Sequence, residues 1–128
     1  MSTTVITQND HLWDAEASDS SLANSPQLIV GSTQYVYQVE VDNTANTSAA
    51  SYVKLYDDNG SSSVTVGTSV PMAIVPAPAA TKVAITFPYG IGTKFTNGIV
   101  WACVTTPGTA GTTSPTSAVV CKLIYNAS

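Results

Sequence analysis

Arginine is absent from this 128-residue chain, which has only four lysines, one histidine and two cysteines, and charged residues make up 9% of it. Each shortage excludes something. A nucleic-acid-binding face needs clustered Lys or Arg, and Lys54, Lys82, Lys94 and Lys122 are scattered, so no nucleic-acid partner is expected. Acid–base or hydrolytic catalysis needs a positioned histidine or a pair of converging carboxylates. The sole histidine, His11, stands far from Cys103 and Cys121, and the three supply no zinc site without carboxylates that nothing in the sequence places beside them. No catalytic residue, metal or cofactor is therefore expected. No apolar run approaches the ~18 residues needed to span a membrane. The first ten residues, Met1-Ser-Thr-Thr-Val-Ile-Thr-Gln-Asn-Asp, show neither the basic nor the apolar region of a secretion signal. The expectation is folding in a cytoplasm, with both cysteines as buried thiols and a disulfide as the alternative.

The charge that is present is unevenly placed. Asp10, Asp14, Glu16 and Asp19 fall within residues 1–27, which hold no Lys, whereas Glu40, Asp42, Asp57 and Asp58 balance the four lysines in the remainder. Residues 1–27 show no sustained period, and they read as an extended acidic arm anchored by Leu12 and Trp13. Residues 28–128 read as one domain. Hydrophobic residues reach 44%, and Ser and Thr fill the polar positions, a surface with little repulsion to keep copies apart.

From Leu28 onward the pattern is β. Positions 35, 37, 39 and 41 of Tyr35-Val-Tyr-Gln-Val-Glu-Val predict one buried strand face. In residues 52–57, Val53 and Leu55 are expected inward and Tyr52, Lys54 and Tyr56 outward. Asn59-Gly60 predicts a tight hairpin, and Pro71, Pro76 and Pro78 place the short segments 64–66 and 70–75 at a sheet edge or at a crossover between sheets. Val83, Ile85 and Phe87 are expected inward, as are Val119, Cys121, Leu123 and Tyr125. Segments 99–105 and 118–125 are expected to pair with each other, separated by a Ser/Thr/Gly/Pro loop at 106–117 that has no side chain to anchor it. About seven or eight strands at this spacing predict a two-sheet antiparallel β-sandwich, immunoglobulin-like or jelly-roll-like, carrying the N-terminal arm.

Few side chains suggest a site. Asp57 and Asp58 read as turn formers, the alternative being a calcium loop with Asn59 and Asp42. Asn46-Thr-Ser and Asn126-Ala-Ser match the glycosylation pattern by chance. Tyr52 and Tyr56, on one strand face, read as an oligomer contact, with stacking on sugar rings as the alternative.

The order Tyr52-Val-Lys-Leu-Tyr, Val66-Gly-Thr-Ser-Val-Pro, Ile74-Val-Pro-Ala-Pro-Ala, Phe87-Pro, Gly92-Thr-Lys-Phe-Thr-Asn-Gly-Ile-Val and a closing Val-Val-x-x-Leu-Ile-Tyr resembles small virion structural proteins of tailed bacteriophages, of the head decoration (cement) type. The resemblance covers about residues 50–125, and the loop after Val104 departs from it in having no acidic residue. It implies a non-enzymatic dimer or trimer on the capsid exterior whose partner is the major capsid protein. On that reading Leu12 and Trp13 dock on the shell, Asp10, Asp14 and Glu16 meet its cations, and deleting residues 1–20 leaves the sandwich folded. The competing expectation is a host-recognition or carbohydrate-binding module on a tail or head fibre, using Tyr52 and Tyr56 or the 106–117 loop.

Overall fold

The computed structural model describes residues 3–7, 15–87 and 93–126. It is a sandwich of two antiparallel sheets. The larger sheet contains β1 (Thr4–Thr7), β2 (Ala15–Asp19), β4 (Gln34–Asp42), β7 (Lys82–Thr86), β8 (Thr93–Phe95) and β10 (Val120–Asn126) in the order β1-β2-β10-β4-β7, with β8 also pairing β4. The smaller sheet contains β3 (Gln27–Val30), β5 (Ser51–Asp57), β6 (Ala73–Ala77) and β9 (Ile99–Val104) in the order β3-β9-β5-β6. Between the sheets lies one apolar core, including Val36, Val39, Val41, Val53, Leu55, Val75, Phe95, Trp101, Leu123 and Tyr125. The sandwich expected from strand spacing is thus the fold, and the proline-bearing β6 lies at an edge as expected.

The N-terminal segment is no arm where it is described. Residues Ala15–Asp19 pair along their whole length with β10, and Thr4–Thr7 pair in turn with β2. Ala15, Ala17 and Asp19 are buried, while Glu16 and Ser18 lie on the outer face. Small side chains here let β2 sit under the larger Leu123 and Tyr125 of the neighbouring strand. Thr3 extends the tie: its hydroxyl donates to Asp19 Oδ2 at 3.0 Å and accepts the indole N–H of Trp101 at 2.9 Å. The fully buried Trp101 is thereby satisfied by the N-terminus.

Several local expectations change for identifiable reasons. Tyr125 pairs with Val36 while Ile124 pairs with Gln38, so Tyr37 is the extra residue of a β-bulge in β4. The bulge inverts the alternation: Val36 joins Val39 and Val41 in the core, and Tyr35 and Tyr37 become half-buried instead of inward. Segments 99–105 and 118–125 do not pair. β9 and β10 belong to opposite sheets, which brings the free thiols Cys103 and Cys121 together in the core. A hydrogen bond with Cys103, followed by burial, raises the Cys121 thiol pKa well above its ordinary value. The predicted hairpin at Asn59-Gly60 is absent, because Gly60 is extended and leads into a 3-10 turn at Ser61–Ser63. The glycine whose conformation matters is Gly98, at φ +148, where an added Cβ would lie 2.4 Å from the Val30 carbonyl oxygen and 2.6 Å from that of Asp58.

Asn43 holds one end of the sandwich. It is fully buried just past β4. Its amide nitrogen lies 3.0 Å from Ala49 O, 3.1 Å from Ala77 O and 3.1 Å from Pro78 O, while its Oδ1 accepts from Asn46 Nδ2 and Ser51 Oγ. Asn46 continues the network by donating to Ser117 O and accepting from Ser117 N. One side chain therefore joins both sheets and, through Asn46, the 106–117 loop. This gives the physical reason the Asn46-Thr-Ser pattern is fortuitous: the amide that would carry a glycan is buried and engaged on both atoms.

Candidate functional site: the outer faces of the two sheets

The outer face of the smaller sheet is half covered. Segment 58–71 and loop 106–117 lie across β5 and β9, forming a second apolar cluster of Tyr56, Val64, Val100 and Ala102 with Val66 packed against it. This explains why both faces of β9 are buried, and why two residues expected outward are not. Lys54 is buried, and its ammonium donates to the carbonyl oxygens of Thr109 at 3.1 Å and Gly111 at 2.8 Å. The loop that lacks an anchoring side chain of its own is thus anchored from β5. Burial lowers the Lys54 pKa from its usual value. Asn24 and Thr105 hold the same loop through Thr112 O, Ser114 Oγ and Thr113 O.

Tyr56 is likewise buried, so it is removed from the exposed pair expected with Tyr52. Burial raises its phenol pKa, and its hydroxyl has no hydrogen-bond partner. A buried unpaired hydroxyl costs free energy that an apolar ring edge does not. Tyr56→Phe is expected to raise stability by about 1 kcal/mol, or about 4 °C in Tm for a domain of this size. Thermal unfolding of the two proteins checks this, and an unchanged or lower Tm would contradict it.

The uncovered half of this face is apolar. Beside β5, Ile74 and Pro76 of edge strand β6 fall on the outer side, since Ala73, Val75 and Ala77 pack inward or between sheets, and Val70 and Met72 lead into the strand with exposed side chains. Val70 is 79% and Met72 46% exposed, and Tyr52, half-buried, stands opposite Pro76 in the ladder. No charged side chain interrupts this row. It was legible only in part: the prolines marked an edge, but nothing local indicated which half of the face the two covering segments would leave bare.

The outer face of the larger sheet is polar instead. Glu16, Gln38, Glu40, Lys122 and Ile124 line a shallow depression of about 160 Å³, and Glu40 pairs with Lys82 at 3.5 Å. Of the acidic residues expected to act together, Glu16 is placed here, while Asp10, Leu12, Trp13 and Asp14 lie outside the described residues, as does His11. The possible calcium ligands separate. Asp42 ends β4, at the end of the sandwich where its neighbour Asn43 bonds Ser51 at the start of β5, and Asp57 ends β5, about 20 Å away along a strand of this length. Each carboxylate serves its own turn. Asp42 accepts from the hydroxyl and the amide N–H of Thr44, Asp58 from Ser63 Oγ and Gly60 N, and these bonds lower both pKa values; Asp57 accepts from the amides of Thr96 and Asn97. Among the described residues no group of three or more His, Cys, Asp or Glu is disposed to hold a metal ion.

No family model and no curated protein matches the chain. A structural likeness to a chain of the "Structure of infectious bursal disease virus Gx strain" covers 98% of this chain and 36% of that one, at 14% identity and a TM-score of 0.26. The chain therefore spans about a third of that protein's length, and a likeness this loose bears on neither fold nor function. What the geometry defines is a small all-β sandwich with one polar face and one partly bare apolar face.

Proposed function

We propose that the protein is a virion structural component of the head decoration type, which binds the outer surface of a capsid shell and stabilises it, with the major capsid protein as partner. The observation that carries the proposal is the exposed pair Val70 and Met72, the two most exposed large apolar side chains among the described residues, leading into Ile74 and Pro76 of β6 beside Tyr52. Exposed apolar rows rimmed by polar residues mark protein contacts. The row falls inside residues 50–125, the span that resembles phage decoration proteins. The low charge of the chain also suits a part packed among neighbours. A row of this length covers only a few hundred Å², below the ~800 Å² per partner of a standard stable interface. On this reading the row is therefore the apolar centre of a larger contact that takes in polar residues around it. A sugar-stacking platform of Tyr52 and Tyr56 is less well supported, because Tyr56 is buried.

The test is co-sedimentation with empty capsids. Val70→Glu combined with Met72→Glu is expected to weaken binding by at least about tenfold, since burying a carboxylate unpaired costs more than 1.4 kcal/mol. Both side chains are exposed, so the melting profile should be unchanged. Undiminished binding by the folded double variant would refute this surface.

A further inference from the structure

The margins of the two sheets are not equally protected. β6 carries Pro76 within the strand, β3 shifts register between Leu28 and Val30, and β1 is a four-residue strand. Prolines, bulges and short strands are the usual means of preventing edge-to-edge association. β7 has neither proline nor bulge, and its one lysine, Lys82, stands at the end of the strand, paired with Glu40. It is five residues, Lys-Val-Ala-Ile-Thr, in unbroken register with β4, and among the described residues nothing pairs with its other side.

Hydrogen-bond parity shows what that free side presents. Just past each end of the β4–β7 ladder, Asn43 N donates to Thr81 O and Phe87 N donates to Tyr37 O. With Gln38 opposite Thr86 and Asp42 opposite Lys82, the odd-numbered residues of β7 face β4 with their N–H and C=O groups. The N–H and C=O of Lys82, Ala84 and Thr86 therefore point outward. Ile85, opposite Val39 on the core-facing side, remains 39% exposed, and Val83 opposite Val41 is half-buried.

We infer that β7 is the dimerisation edge of this chain, pairing antiparallel with β7 of a second copy about a two-fold axis at Ala84. The sequence of the strand is self-complementary in that arrangement. Ala84 faces Ala84 of the other copy, and Lys82 faces Thr86 in both directions, each pair exchanging both of its hydrogen bonds. Every outward backbone group is then satisfied. Val83 meets Ile85 of the other copy on the core side, covering the apolar surface that the smaller sheet leaves bare. No like charges are opposed, because the only charged residue, Lys82, faces a threonine and is already paired with Glu40 of its own chain. The two larger sheets become one continuous sheet. The occupant is a second copy because the edge fits itself in register, charge and side-chain size.

This inference stands apart from the capsid reading. A monomer that still binds capsids overturns the dimer alone, and a dimer that fails to bind them overturns the capsid reading alone. The experiment is sedimentation equilibrium of the full chain from about 1 µM to about 1 mM, the range in which a contact of this size dissociates. Wild-type protein should reach twice the single-chain mass of 13.2 kDa. Ala84→Pro removes an outward N–H and none of the β4 ladder, as proline at an edge position is tolerated. It should remain at the single-chain mass with an unchanged far-ultraviolet circular dichroism spectrum. Ile85→Lys should raise the dissociation constant at least about tenfold by placing an ammonium in the apolar contact, and it decides the matter if the proline variant does not fold. Single-chain mass for the wild type throughout the range would overturn the inference. So would undiminished dimerisation of Ile85→Lys or of folded Ala84→Pro.

Discussion

Deletion of residues 1–20 is expected to abolish the cooperative fold. That segment supplies β1 and β2, and β2 is an interior strand, bonded on one side to β1 and on the other to β10. Removing it strips β10 of its ladder along Cys121–Tyr125 and uncovers the core now closed by Ala15 and Ala17. It also deletes Asp19, whose Oδ1 accepts from Ser21 N, and Thr3, which accepts the Trp101 indole N–H. Several backbone groups and a buried indole would lose their partners together, each at about 1–3 kcal/mol. The total exceeds much of the ~5–15 kcal/mol that holds a domain folded. Circular dichroism during thermal unfolding should show no sigmoidal transition, and a truncated chain melting within a few degrees of wild type would contradict the sheet assignment. The contrast is with the expectation from the acidic composition of this segment, on which the truncated sandwich stays folded.

Asn43→Ala is expected to produce the largest loss from any single side chain outside the apolar core. The amide serves three carbonyl oxygens from two places in the chain, Ala49 and the adjacent Ala77 and Pro78, and its oxygen holds Asn46 and Ser51. Alanine removes this partner from the Ala49 and Ala77 carbonyls and from Ser51 Oγ, whereas Asn46 Nδ2 keeps Ser117 O and Pro78 O keeps the Thr81 hydroxyl. The cost is about 3–5 kcal/mol, or about 12–20 °C in Tm for a chain of this length. The backbone bonds Asn43 N to Thr81 O and Asn46 N to Asn43 O survive the change, so the fold should persist at low temperature. Denaturant unfolding measures the difference. A loss below about 1 kcal/mol, the worth of one ordinary hydrogen bond, would show that the network is not the clasp described here.

How far the sequence led depended on whether a signal was local. β10 was readable, because Val119, Cys121, Leu123 and Tyr125 alternate with exposed Lys122, and one face of that strand is covered evenly. The edge position of β6 was readable from its prolines. Lys54 was not, since its ammonium is held by a loop more than fifty residues away that no neighbouring residue announces, and Tyr56 was not, since its burial depends on Val64, Val66 and β9 gathering around it. β2 was hidden by its small residues. Ala15-Glu-Ala-Ser-Asp alternates as a strand should, but alanine carries little hydropathy, and the acidic residues around it suggested an arm. The bulge at Tyr37 was invisible for a further reason: it is defined by the partner strand, where Ile124 and Tyr125 skip a residue. The candidate surface depended on all of these, because the bare apolar row is what remains after distant segments have covered the rest.

The pairing of β2 with β10 also sets a timetable for synthesis. Residues 15–19 leave the ribosome early, and their partner, residues 121–125, lies roughly a hundred residues later. At elongation rates of about 5–20 residues per second, the first strands wait about 5–20 s with one edge unpaired. Because β10 also separates β2 from β4, the larger sheet cannot close until residues 120–126 have been made. A nascent chain of this protein is therefore an open half-sandwich until β10 emerges, which makes high expression levels the condition under which it is most prone to aggregate.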